Sequence, residues 1–514
     1  MNPLHERRSG ILLHPTSLPG AHGHGDLGVE AHEFLRFLAR AGQSLWQMLP
    51  VVPPGGGDSP YDSPSSFAGS PELVSLGYLV EDGLLEQSQL AAPSRLQNCE
   101  RARYGAAKRF RRKRLRRAFE RFCAGVSRHG LEEFREREHS WLPDYTLYAA
   151  LKEEQHGKAW LHWPAELRRR EPQALAAARS RLADEIAYHE FVQLMFDRQW
   201  QRLRGHARHL GVLLIGDIPM FVAHDGADVW QHQELFLLDE QGERRGVAGV
   251  PPDYFSADGQ RWGNPLYDWT RLRETGYAWW IERLRANLRR FDAIRLDHFI
   301  GFHRYWEIPS HSPHAREGRF VEVPGFDFFS RAREALGDLP LIAEDLGIVT
   351  PEVEKLRDAF QLPGMRVLAF AFAEGAEAYL PHRFHERCVV YSGTHDNDTL
   401  VGLLNSAERA GSPGERTQLL RQRERALAYA GSDGREPHWD LIRCALSSVA
   451  STAIFPIQDV LGLDSDARMN IPGTPSGNWG YRLRSELLSS TVAARLARLT
   501  ETYERLPSSL RRDP

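Results

Sequence analysis

The chain has little cysteine, no long apolar run and no excess of charge of one sign. Each shortage excludes something. Four cysteines occur in 514 residues: Cys99, Cys123, Cys388 and Cys444. They lie far apart and form no CxxC, which argues against a disulfide framework or a zinc site and for a reducing compartment. Near the N-terminus the only apolar run is Ile11-Leu12-Leu13, too short for a signal-peptide core. No run approaches the roughly 18 residues that span a bilayer. The expected location is the cytoplasm. A formal net charge of −3 speaks against a whole-protein binder of nucleic acid or membrane. No internal repeat and no long low-complexity segment occur, and no Pro- or Gly-rich linker divides the chain.

What is present is globular: 42% hydrophobic, 26% charged and 10% aromatic residues. Eight short apolar segments read as strands, separated by helical stretches or insertions. They are Ile11–His14, Leu45–Val51, Val212–Pro219, Phe291–Asp297, Leu341–Ala343, Met365–Phe370, Val389–Ser392 and Thr452–Pro456. The first two enclose a helical pattern at residues 30–42, a βαβ start that implies a parallel sheet. Eight parallel strands with acidic residues at several carboxyl ends indicate a (β/α)8 TIM barrel, whose active site lies at that end. Residues 1–514 read as one catalytic barrel. A mostly helical insertion is expected at 80–208 and an irregular, loop-rich one at 220–290.

Residues 101–121 carry eleven Arg or Lys, the best case for nucleic-acid binding. Tyr104, Phe110, Leu115, Ala118, Phe119 and Phe122 fall near helical spacing, so the basic residues are expected to form one solvated face. The sequence His22-Gly23-His24-Gly25-Asp26 suggests a metal but reads as a plain, flexible loop.

The chemistry is expected from carboxylates at strand ends. Ala293, Arg295 and Asp297 share one face of a strand. The arginine is expected to keep Asp297 ionised, as a nucleophile requires. Glu344 and Asp396 end two other strands. Two close carboxylates cannot both ionise cheaply, so one becomes an acid and the other a base or nucleophile, the equipment of glycoside chemistry. A Mg²⁺ or Ca²⁺ site is the rival reading; Arg295 already supplies the positive charge there.

These residues also carry a resemblance. His14-Pro15-Thr16-Ser17-Leu18-Pro19-Gly20, Ser59-Pro60-Tyr61, Gly216-Asp217-Ile218-Pro219, Pro251–Ser256, Gly259–Pro265, Arg295–Phe299, Ala343–Gly347, Gly364–Leu368, Thr394-His395-Asp396-Asn397 and Asn470–Thr474 are similar, in order, to motifs of the amylomaltases, the 4-α-glucanotransferases of glycoside hydrolase family 77. The resemblance implies a barrel with inserted subdomains and no C-terminal β-domain. It implies α-1,4-glucans and maltooligosaccharides as donor and acceptor. With no convincing ligand set and Arg295 in the cation's place, no metal or other cofactor is expected; nor is a nucleic-acid or membrane partner, and the chain is expected to be a monomer or weak homo-oligomer. The resemblance makes Asp297 the nucleophile, Glu344 the general acid/base and Asp396 the third carboxylate. It makes Asp217, Arg295, His298 and His395 contacts to the donor glucose. Tyr61, Asp253, Phe255, Gln260 and Trp262 become contacts along the glucan. One departure is Tyr481 in Asn478-Trp479-Gly480-Tyr481-Arg482, where the family pattern leads us to expect a second tryptophan. An amylase-like hydrolase with the same carboxylates is the alternative, and a non-catalytic glucan-binding scaffold is disfavoured because all three carboxylates are present.

Overall fold

The computed structural model describes residues 3–97, 99–252 and 258–507. Eight parallel strands close a barrel: β1 (Arg8–Leu12), β2 (Leu45–Gln47), β3 (Leu213–Ile218), β6 (Ala293–Leu296), β9 (Leu341–Ala343), β10 (Gly364–Val367), β11 (Cys388–Tyr391) and β12 (Thr452–Pro456). Their order around the barrel is β1-β12-β11-β10-β9-β6-β3-β2. A four-stranded antiparallel sheet, β5-β4-β7-β8, stands beside it. Its strands are β4 (Gly246–Val250), β5 (Gln260–Pro265), β7 (Arg304–Pro309) and β8 (Arg319–Glu322).

The eight apolar segments are the barrel strands, with shifted ends. β1 begins at Arg8 because Arg8 and Ser9 pair with Thr452 and Ala453, and it stops before His14. β2 ends at Gln47, short of Val51. The antiparallel sheet was not expected. Half of it lies beyond residue 290, and residues 220–290 are less irregular than their composition implies. Its strands are short, and β5 and β8 are edge strands in which only Pro265 is buried, so they lack the alternation that marks a half-buried strand.

Between β2 and β3 the chain is mainly helical, ending in the long helix Ala183–His209. Two glutamines on that helix hold the long loop after β2. Gln193 exchanges hydrogen bonds with the N–H and C=O of Gly69, and Gln199 does the same with Ser75. Gly69 has no alternative, since a Cβ there would meet the Phe196 ring at 2.1 Å.

The basic run forms the helix Tyr104–Cys123. Phe110, Leu115, Ala118 and Phe122 are buried as expected, but the polar face is not all solvated. Arg111 is buried, donating to Val74 O at 2.8 Å and to Asp26 at 2.9 Å. The histidine-rich loop is also part of the core. His24 is fully buried, its Nε2 3.1 Å from Glu72 and its Nδ1 2.8 Å from Gly25 O. No described helix is long and apolar enough to cross a membrane.

Candidate active site

Asp217 on β3 and Arg295 on β6 are register partners, so their side chains leave the sheet on the same side. Arg295 Nη1 lies 2.8 and 3.0 Å from the two Asp217 oxygens and 3.0 Å from Asp297 Oδ1. One buried guanidinium thus serves two carboxyls. Tyr61 OH donates to Asp217 at 2.9 Å. Burial raises the Asp217 pKa, the Asp297 charge adds to the rise, and Arg295 and Tyr61 oppose it. With both donors aimed at it, Asp217 is the acceptor of this cluster.

Glu344 follows β9 directly. It is 9% exposed, and its oxygens accept the N–H of His298 at 2.7 Å and of Leu346 at 3.1 Å. Burial, reinforced by Asp297, raises its pKa to about 8 against the pull of Arg295. The direction favours the protonated form of Glu344, the one a general acid needs. His298 reaches it from a left-handed backbone with φ 50°, a conformation costing about 1–3 kcal/mol for a non-glycine residue. Burial lowers the His298 ring to about 4, so the ring is neutral. Asp345, next along, points away from the mouth to Arg357 at 2.6 Å and Met365 N–H at 2.7 Å. A Cβ on Gly364 would meet that carboxyl at 2.4 Å, so glycine is what lets the Asp345 anchor form.

Asp396 stands apart from these strand-end groups. It lies on the loop after β11, not at the strand end where it was expected, and its side chain is 42% exposed. Asn470 Nδ2 donates to its Oδ1 at 2.6 Å, and Arg468 donates to its main-chain oxygen at 2.5 Å. His395 Nε2 lies 3.4 Å from Asp396 Oδ2. The Tyr61 and His395 rings stack at 5.0 Å, and Trp479 approaches both, at 5.8 and 6.0 Å. Among these, Arg468, Asn470 and Trp479 were not singled out as site residues. Asn470 opens one of the family motifs and Trp479 sits beside the noted Tyr481, so both were in view without an assigned role. Arg468 carried no signal.

Beside His298, Trp262 is 39% exposed, with its ring 4.9 Å from the His298 ring. Trp262 Nε1 donates to Gln260 at 3.1 Å. Asp253 and Phe255 lie outside the described residues. Tyr481 is buried without a hydrogen-bond partner for its hydroxyl among the described residues. Among those residues, one group could offer three metal ligands, Glu153, Glu185 and His189. It is not at the mouth, and Arg112 and Arg116 already pair with its carboxylates.

A buried glutamate whose pKa is raised, beside an arginine-bound aspartate and with stacked aromatic rings alongside, suits chemistry on a sugar. Comparison with known proteins points the same way. The profile of glycoside hydrolase family 77, described as 4-alpha-glucanotransferase, matches residues 13–489. The chain is 49% identical over 509 residues to the 4-alpha-glucanotransferase of Thermus thermophilus, covering 97% of this chain and 99% of that one. It is 46% identical over 510 residues to the enzyme of that name from Synechocystis, covering 98% and 99%. The amylomaltase of Streptococcus agalactiae, solved in complex with acarbose, superposes with a TM-score of 0.92 at 36% identity, over 97% of this chain and 100% of that one. With the barrel, the ordered motifs and full-length kinship in agreement, the chain belongs to glycoside hydrolase family 77, the 4-alpha-glucanotransferases.

Proposed function

We propose that this chain moves a segment of an α-1,4-glucan to the 4-hydroxyl of another glucan or of glucose by a retaining double displacement. The observation that carries the reading is the contrast between two carboxyls at the ends of paired strands β6 and β9. Asp297 has a guanidinium at 3.0 Å, whereas Glu344 is buried and raised to about 8. Glu344 gives its proton to the glycosidic oxygen as Asp297 attacks the anomeric carbon. The C–O bond to the leaving fragment breaks, and a β-linked glycosyl ester forms on Asp297. Glu344, now a carboxylate, takes the proton of an acceptor 4-hydroxyl. The ester bond breaks and the α-linkage is restored.

In this reading Asp396 binds sugar hydroxyls and stabilises the distorted ring. Asp217, Arg295, His298 and His395 hold the donor glucose. Tyr61, Gln260 and Trp262, with Asp253 and Phe255, follow the glucan. No step needs a metal. We treat 80–208 and 220–290 as insertions in one catalytic barrel that works as a monomer or weak homo-oligomer. A cytoplasmic setting accords with the four free cysteines.

Maltotriose tests the proposal. Incubation with the pure protein should give glucose together with maltooligosaccharides longer than the starting trimer. Glucose and maltose alone, with nothing longer at any time, would mean that water is the acceptor and that the hydrolase reading holds.

A further inference from the structure

Residues 392–399, which carry His395 and Asp396, run from the end of β11 at Tyr391 to the helix Leu400–Leu404. Both ends of this loop are tied to one side chain that the mechanism does not use. Asp459, on the short helix Ile457–Val460 after β12, accepts the Ser392 hydroxyl at 2.6 Å and the Leu400 N–H at 2.8 Å. Asp459 is 1% exposed. Burial raises its pKa to about 6, with Ser392 and Leu400 opposing the rise and Asp398 adding to it.

The 392–399 loop borders a pocket that His14, Ser17, Asp459 and Arg468 also line. Within the loop, Asn397 Oδ1 accepts the N–H and hydroxyl of Thr394 at 2.8 and 2.9 Å; from outside it, Asn470 N–H donates to His395 O at 3.1 Å, the Arg468 and Asn470 side chains reach Asp396, and Ser465 and Arg409 donate to Asp398 at 2.6 and 3.0 Å. These contacts hold the middle of the loop, whereas Asp459 ties its two ends.

We infer that Asp459 is a positioning residue for the transfer reaction, holding both ends of the 392–400 loop so that His395 and Asp396 meet the donor glucose in register. The inference rests on the reading of Asp396 given above. The bland alternative is that Asp459 only caps the helix at Leu400, in which case its loss would lower stability and leave turnover alone.

Kinetics on maltotriose separate the two. Asp459→Ala should lower kcat by ~10- to 100-fold, the cost of misplacing a group in the site, with KM within about threefold. Asp459→Asn should stay within about threefold of wild type. Its amide oxygen can accept from Leu400 while its NH₂ donates to Ser392, so both ties survive. In an Asp396→Ala background, Asp459→Ala should add nothing, because residues acting through one another are not additive. Asp459→Ala with kcat within about twofold of wild type, while Asp396→Ala keeps measurable turnover lowered by ~10²-fold, would overturn the inference and leave the reading of Asp396 standing; a fully active Asp396→Ala would overturn that reading itself, and the inference with it. If Asp459→Ala does not fold, Ser392→Ala carries the test. It should lower kcat about threefold or more alone and not at all on Asp396→Ala; unchanged kcat alone would overturn the inference.

Discussion

The mouth of the barrel has two sides built by different means. Asp217 and Arg295 sit within their strands, and Asp297 and Glu344 each follow a strand directly. Ladder hydrogen bonds extend past the strand ends to fix them: Asp297 N–H to Ile218 O and Glu344 N–H to Leu296 O, both 3.0 Å. Facing them, Tyr61, Asp396 and Trp479 stand on loops. These are placed by side chains from distant segments: Gln193 and Gln199 for one loop, Asp459 and Arg468 for another, and Tyr104, which donates to Trp479 O at 2.9 Å, for a third. On the roles proposed above, the barrel frame carries the bond-breaking groups, while the loops supply walls that must be anchored separately. Changes on the strand side should therefore abolish chemistry, and changes on the loop side should grade it.

The largest effect tests the strand side. Asp297→Asn and Glu344→Gln should each lose ~10³-fold or more in kcat on maltotriose while keeping the fold, since members of one catalytic unit fail together. Next comes Arg295→Met. It strands two carboxyls beside an apolar side chain and should lower kcat by ~10²-fold and stability by about 3–5 kcal/mol, the usual result of breaking a buried pair from one side. Denaturant unfolding and steady-state kinetics measure both. A stable, active Arg295→Met would show that the shared guanidinium is not what holds this side together.

A smaller effect concerns pH. Glu344 is raised from 4.5 to about 8. Below about pH 4.5 both folded and unfolded chains hold its proton. Between about 4.5 and 8 the unfolded chain releases it while the fold retains it. The folded state then binds more protons, so this group's contribution to stability falls as pH rises through that window. Wild type should lose melting temperature relative to Glu344→Gln across it, and turnover should decline above about pH 8 as the acid ionises. Parallel melting curves for the two proteins would remove Glu344 as the titrating group.

The smallest effect lies on the loop side. Tyr481 buries a hydroxyl that has no partner among the described residues. Tyr481→Phe should be neutral or stabilising by up to ~1 kcal/mol, with the maltotriose rate unchanged. A clear loss of stability would mean that the hydroxyl is satisfied in solution.

The same division explains what the sequence made legible. A buried barrel strand writes a continuous apolar run, and a charged residue closing that run, as after Leu296 or Ala343, announces itself. Loop residues announce only their own type. Trp479 could be placed beside Tyr61 and His395 only once the fold brought residues so distant in sequence together. Arg111 and His24 misled for a related reason. A cation in a basic helix and a histidine between glycines look solvated until Asp26 and Glu72 arrive from elsewhere to pair with them.

The most direct test of the roles at the strand ends is intact-protein mass spectrometry after brief exposure to an α-glucosyl fluoride. Fluoride leaves with little need for protonation, so Glu344→Gln should still form a glycosyl ester on Asp297. That adduct should persist, because no base remains to activate the acceptor. Asp297→Asn should carry none. An adduct on Asp297→Asn, or one mapped to Glu344, would contradict the assignment of nucleophile and acid.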